Sequence, residues 1–389
     1  MKRRKNGEGS YGQKVMRGKT YKYYRYPNGK YIYALTAKEL ENKMRVYKES
    51  LEQVNVEIDN TRNLATFIEL SEEWLPTTRR KLSDGVYDDY ENIIRVRIKN
   101  YKAYDIANKQ IKSLTPTMFT NYFFSLGEKY SKGSITKTWA IIRQILRYGK
   151  EEGYINKDFR IEKIELPSED KVEVKQKDVL FIDKEDMERL YKECMKEDKY
   201  GDISKLIAFI MYSGLRINEA TGLNWKNVDN NLSQITIKQS SKRIIERDAD
   251  GNPIKNEDGT NKHKSIIKTP KTESGVRTVP LPKRAREILQ YFKDKRVNDI
   301  VFITSNNTRF SSSNARKTLA RILANSNCVC KDYTLHSLRH GYGSILISEG
   351  VDIKIVSKLL GHKKISTTYD IYIGVLKKDE ISAINRVFG

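Results

Sequence analysis

The sequence is poor in cysteine and has no long apolar run, and each shortage removes a class of protein. Three cysteines, Cys194, Cys328 and Cys330, occur in 389 residues. They are too few for a disulfide framework, and Cys-Val-Cys lacks the further ligands of a zinc site. No apolar stretch approaches the ~18 residues that a membrane-spanning helix requires, which excludes an integral helical membrane protein. The start, Met1-Lys-Arg-Arg-Lys, is followed by polar, glycine-rich sequence where a signal peptide would carry its apolar stretch. A reduced intracellular compartment is the expectation. Acidic residues are also scarce: 73 Lys+Arg face 50 Asp+Glu, a formal charge of +23. Such an excess implies a polyanionic partner, nucleic acid first and an anionic membrane surface second. The length and the 38% hydrophobic, 10% aromatic content suffice for two or three packed domains.

The basic excess is concentrated. Residues 1–38 hold eleven bases against one acid, Glu8, interleaved with Tyr11, Tyr21, Tyr23, Tyr24, Tyr26, Tyr31 and Tyr33. Breaks at Arg17-Gly18 and Pro27-Asn28-Gly29 predict two or three short antiparallel strands. Thr36-Ala-Lys-Glu39 then reads as a capping box, and Leu40, Met44, Tyr47 and Leu51 follow at helical spacing. A small basic sheet backed by a helix predicts DNA contact. Residues 62–165 read as helices over Thr66–Trp74, Val86–Asn100, Thr115–Leu126 and Ser134–Glu152, with Pro76, Gly127, Gly133 and Gly153 as stops. Lys132, Lys137, Arg143, Arg147 and Lys150 line the last of them, a row able to clamp a phosphate backbone.

Apolar periodicity lapses over 166–178, read as a linker. A mixed domain follows, with helices at Lys184–Lys196 and Ile203–Tyr212. Strands are predicted near Gln234–Lys238, Ser265–Thr269 and Val276–Val279, the latter two pairing around Lys271, and helices from Lys283 onward. Ser240–Lys264, with turn signals Asp250-Gly251 and Asp258-Gly259, reads as an inserted hairpin or flexible loop.

Four motif matches fail on inspection. Gly7-Glu-Gly9-Ser-Tyr-Gly12 follows no strand and opens no helix. Asp248-Ala-Asp250-Gly-Asn252 lacks the glycine and closing glutamate of a calcium loop. His336 and His340 have zinc-protease spacing without its glutamate. Asn231 and Asn306 head glycosylation sequons without a secretory route.

Four further segments carry chemistry together. They are Gly214-Leu-Arg216-Ile-Asn-Glu219; Lys268-Thr-Pro-Lys271 on to Arg277; Leu335-His336-Ser-Leu-Arg339-His340; and Gly361-His362 followed by Tyr369 and Tyr372. In this order they resemble the catalytic set of the tyrosine recombinases, the phage-integrase family. That resemblance implies a multidomain protein, mainly α with small β-sheets: a mixed α+β catalytic domain over 179–389, a helical core-binding domain over 62–165, and a small ββ(β)α arm-binding domain over 1–60. It implies site-specific DNA recombination through a 3′-phosphotyrosyl intermediate and a Holliday junction, without metal or other cofactor. Arg216 and Arg339 would bind the non-bridging oxygens, and His336 and His362 would assist them. Lys271 would protonate the leaving 5′ oxygen, Glu219 would brace Arg216, and His340 would support. Tyr369 lies seven residues after His362 and Tyr372 ten; the family's spacing selects Tyr372 as nucleophile, with Tyr369 packing one turn earlier.

The implied partners are double-stranded DNA at core and arm sites, three further copies of the chain in a tetramer on DNA, an excisionase and DNA-bending proteins, in a bacterial cytoplasm at the nucleoid. The tail, a helix over 375–388, would dock on a neighbouring protomer. A type IB topoisomerase shares the tyrosine chemistry, and a DNA-binding regulator with a dead site shares the basic surface; these are the competing readings. The added basic amino-terminal unit favours an integrase of a phage or conjugative transposon.

Overall fold

The computed structural model describes residues 9–175, 180–196, 199–269 and 275–372, without the side chains of 51–63. Lys271 and the tail 375–388 lie outside the described residues. The chain divides into two compact units, one of 1–82 with 89–175, the other of 83–88 with 176–389.

The first unit opens with three antiparallel strands, β1 (Ser10–Met16), β2 (Lys19–Arg25) and β3 (Tyr31–Ala34), in that order across the sheet. Arg17 and Gly18 both have positive φ, 49° and 74°, as a two-residue hairpin matching strand twist requires. Cross-strand partners share a face. Tyr24 opposes Tyr11 and Ile32, and this face packs on α1 (Ala37–Leu64) through Ala34, Leu40 and Met44. Tyr23 opposes Gly12 and Tyr33 on the other face, where Tyr23, Tyr31 and Tyr33 cluster with ring centroids 5.5–5.9 Å apart. The Arg25 guanidinium lies 5.5 Å from the Tyr31 ring centre.

Four helices follow: α2 (Phe67–Thr77), α3 (Asp84–Ile93), α4 (Pro116–Gly127) and α5 (Lys132–Glu151). α3 runs into a π-helical turn, Ile94–Lys99. Phe67, Phe119, Tyr122, Phe123, Ile142 and Ile145 form the fully buried centre. Two expected stops are wrong. Pro76 lies within α2, one residue from its end. Gly133 is the second residue of α5, so it opens that helix instead of ending the segment before it. At 166–175 the polar stretch is anchored: Val172 is buried, and the Glu173 N–H donates to Gly127 O at 3.0 Å.

In the second unit α6 (Lys184–Cys194), α7 (Asp202–Ser213), α9 (Lys283–Asp294), α10 (Ser312–Asn325) and α11 (Leu335–Ser348) enclose the core. α7 is its axis, with every residue from Leu206 to Met211 at 0% exposure. α8 (Ile217–Gly222) follows α7, α12 (Ile353–Leu360) follows α11, and a last helical stretch spans 365–372. β4 (Gln234–Ile237) pairs with β7 (Arg277–Pro280), and β5 (Ser240–Ile245) pairs with β6 (His263–Lys268). The strands flanking Lys271 therefore do not pair with each other, contrary to expectation. β6 pairs instead with β5, at the start of the Ser240–Lys264 insertion, and β7 with β4, which precedes it. The segment between β5 and β6 is a hairpin extension with two turns, closed by Gly251 (φ 88°) and Gly259 (φ 77°). Among the described residues no helix is long and apolar enough to cross a membrane.

Candidate active site

α7 ends at Gly214, whose φ of +64° and lack of a side chain are both required: a Cβ there would lie 2.4 Å from the Tyr342 ring. The reversal places Arg216 at the start of α8. Glu219, one turn on, accepts from the Arg216 backbone N–H at 3.0 Å and from its Nη1 at 2.8 Å. The same carboxylate accepts from Arg277 Nη1 at 3.2 Å and Nη2 at 2.8 Å, and lies 3.8 Å from Arg339 Nη1. Three guanidiniums thus share one acid. Burial alone would raise the Glu219 carboxyl, but the Arg277 hydrogen bond and then the charges of Arg277, Arg339 and Arg216 outweigh it and hold it at about 2. The cluster keeps a net positive charge and is built for an anion.

The arginines divide the work. Arg339 is 2% exposed and donates through Nη1 to Gly214 O at 2.7 Å and through Nη2 to Leu360 O. It thereby holds the ends of α7 and α12 and keeps further N–H groups in reserve. Burial first, then the like charge of Arg216, push it below the usual arginine range. The Arg216 side chain is 39% exposed and is the arm that reaches solvent.

His336 stands on the first turn of α11, whose start is fixed by reciprocal bonds between Thr334 and Ser337. His362 follows Gly361, the left-handed end of α12 (φ 65°), and its Nδ1 lies 2.8 Å from the hydroxyl of fully buried Thr368. With Nδ1 so engaged, Nε2 is the nitrogen left for a ligand. Burial first, then Arg339 and Arg216, lower both imidazoles, His362 to about 4. Both are neutral near pH 7 and would gain proton affinity when an anion enters. His340 lies between His336 and the Tyr372 cluster: its ring is 6.1 Å from that of His336 and 6.3 Å from those of Phe181 and Tyr372, and its buried Nδ1 has no hydrogen-bond partner among the described residues.

Tyr372 is completely buried in a cluster with Ile347, Val356 and Leu360, and its hydroxyl has no hydrogen-bond partner among the described residues. Gly343 makes the space: a Cβ there would lie 2.2 Å from the Tyr372 hydroxyl. Burial raises the phenol to about 12, with Arg339 opposing. Tyr369, expected to pack, is instead 49% exposed, because the helical stretch turns the Tyr372 face inward.

Sequence reasoning missed Arg277. It is 5% exposed at the start of β7, where burial alternates with Arg277 and Val279 inward. An arginine in phase with an inward-facing valine was the available signal. In the first unit, an open groove of about 710 Å³ lies along α5, where Arg143, Arg147 and Lys150 outnumber the acids Glu151 and Glu162 beside Trp139, Ile161 and Ile164. Arg143, Arg147 and Lys137 are exposed, whereas Lys132 is drawn to Pro167 O and Lys150 to Phe159 O.

Residues 180–379 match the Phage integrase family. The XerC-like tyrosine recombinase of Caldanaerobacter subterraneus subsp. tengcongensis is 28% identical over 379 residues, 92% of each chain. The ICEBs1 integrase of Bacillus subtilis (strain 168) is 27% identical over 175 residues, 43% of this chain and 42% of that one. Among solved structures, the Tn1549 transposon integrase in complex with transposon right end DNA superposes with a TM-score of 0.61 at 16% identity, covering 84% of this chain and all of that one. With the family match running from ahead of α6 to beyond Tyr372 and the fold shared along most of its length, the chain belongs to the phage integrase family of tyrosine recombinases.

Proposed function

We propose that this recombinase integrates and excises a mobile DNA element, with Arg216, Arg339, His336 and His362 holding the scissile phosphate and Tyr372 attacking it. The observation that carries the reading is the cluster of three arginines around Glu219, which leaves excess positive charge beside two neutral imidazoles. That is the electrostatic demand of a pentacovalent phosphorane. In the reaction the Tyr372 oxygen bonds to phosphorus as its proton passes to one of the neutral imidazoles, His336 or His362, and the phosphorus–O5′ bond breaks. Lys271 supplies the proton that leaves the departing strand as a 5′ hydroxyl, and the 3′ end stays linked to tyrosine. The ester conserves the bond energy, so a second 5′ hydroxyl can reverse the step on another duplex.

The units take matching roles. Residues 62–165 grip the core site with the groove on α5, and residues 1–60 bind a separate arm site. For the arm domain the face carrying Tyr21, Tyr23, Arg25, Tyr31 and Tyr33 is the one turned away from α1. The linker over 166–178 joins the first unit to the catalytic domain over 179–389. Four copies assemble on two duplexes, and the tail over 375–388 docks on a neighbour. Excisionase and DNA-bending proteins set direction, at the nucleoid of a bacterial cytoplasm. The relatives are recombinases and integrases by name, and neither the topoisomerase reading nor the inactive regulator is favoured.

The test is strand exchange between duplexes carrying the element's two ends, in EDTA. Recombinant product and a four-way junction intermediate are expected without added metal or nucleotide. Relaxation of supercoils without exchange, or a strict magnesium requirement for cleavage, would overturn the reading.

A further inference from the structure

A helix leaves its last carbonyls without intrahelical partners. At the end of α12 these carbonyls are met from outside the helix, and two of the partners are arginines. The His362 N–H donates to Ser357 O at 3.1 Å, Arg277 Nε donates to Leu359 O at 2.7 Å, and Arg339 donates to Leu360 O. Positive charge at a helix C-terminus is stabilising in itself. The other end of the Arg277 guanidinium forks onto Glu219, and Glu219 in turn holds Arg216. Gly361 completes the fit, since a Cβ there would lie 2.7 Å from Arg277 Nη1. One buried side chain therefore ties the turn that bears His362 to the carboxylate that aims Arg216.

We propose that Arg277 is a positioning residue for strand cleavage: through Glu219 and Leu359 it sets Arg216 and the His362 turn against one scissile phosphate. Its five N–H groups in a planar fork suit this double task, which a lysine's point charge cannot reproduce. It does not touch the phosphate itself, its side chain being buried and already engaged at Nε, Nη1 and Nη2. The assignment rests on the recombinase reading above.

The test compares cleavage of two otherwise identical suicide duplexes. One carries the natural scissile phosphate, the other a methylphosphonate, in which a methyl group replaces one non-bridging oxygen and removes the charge that the arginines neutralise. Release of the 5′ fragment is timed for the full chain and for Arg277→Gln, Arg277→Lys and Arg216→Ala. Losing an outer partner of a functional group typically costs about 10- to 100-fold. Arg277→Gln should show that loss on the phosphate and only a few-fold loss on the methylphosphonate, the same selective pattern as Arg216→Ala. Arg277→Lys keeps the buried charge opposite Glu219; it should fold even where the glutamine variant does not, and show the selective loss in smaller measure. Equal losses on both substrates would mean that Arg277 merely supports the fold, and unchanged cleavage would mean that it does nothing; either overturns the proposal. Absence of any cleavage by the unaltered chain would overturn the recombinase reading as well, so the two failures are distinct.

Discussion

Replacing Gly343 by alanine puts a methyl group where the Tyr372 hydroxyl now sits, 2.2 Å from its oxygen and 2.6 Å from the ring carbon that bears it. Neither distance is tolerable, so the phenol has to leave its present position for the methyl group to fit. The well that holds it is shallow. Burying an aromatic ring of roughly 150–200 Å² is worth about 4–5 kcal/mol. A buried hydroxyl without a partner takes back about 1–3 kcal/mol. Overpacking by one methyl costs about 1–3 kcal/mol more, enough to raise the population of outward Tyr372 about tenfold or more. Alanine in place of glycine within α11 also favours the helix by about 1 kcal/mol, so the net loss of global stability stays small. The assay is the initial rate of covalent adduct formation on a single core half-site, where protomers do not assemble, with thermal unfolding measured alongside. Gly343→Ala should form adduct about tenfold faster than the unaltered chain, with a melting temperature shifted by only a few degrees. An unchanged adduct rate in a folded variant would refute the argument that burial restrains the nucleophile.

Glu219→Gln removes the acid on which three guanidiniums converge and should cut cleavage by about 10- to 100-fold. Because the folded carboxyl lies at about 2 against its ordinary value of 4.5, its contribution of about 3 kcal/mol is present above pH 4.5 and lost as pH falls toward 2. Acid unfolding of the glutamine variant should therefore be less steep over that window, as followed by circular dichroism. Arg143→Ala with Arg147→Ala should weaken core-site binding and lower the slope of log affinity against log salt by about 2, measured by fluorescence anisotropy; an unchanged slope would place the DNA elsewhere. Deleting residues 1–60 should abolish binding to the arm site in gel-shift assays yet leave core-site cleavage largely intact.

What could be read in the sequence was what local chemistry determines. Arg216 and Glu219 lie one turn apart at a helix start, as do His336 and Arg339, so their juxtaposition follows from helical geometry alone. The turn glycines Gly18, Gly251 and Gly259 likewise declared themselves, and each has positive φ. The strands around Lys271 were misread because neighbours in sequence favour a hairpin pairing, whereas β6 and β7 find their partners in β5 and β4. Arg277 escaped because its phase with Val279 marks it only as inward-facing, whereas its partners on α8 and at the end of α12 are brought to it by the fold. The opposite placements of Tyr369 and Tyr372 were hidden for the same reason: Gly343, on a different helix, makes the hole into which Tyr372 fits.

Recombination by the proposed route requires that Tyr372 carry the DNA. Trapping the reaction on a suicide core duplex, digesting the adduct with protease and nuclease, and sequencing the modified peptide by mass spectrometry tests it directly. A 3′-nucleotide should be found on the Tyr372 oxygen, absent in Tyr372→Phe and retained in Tyr369→Phe; a nucleotide on Tyr369, or an adduct that survives Tyr372→Phe, would refute the assignment.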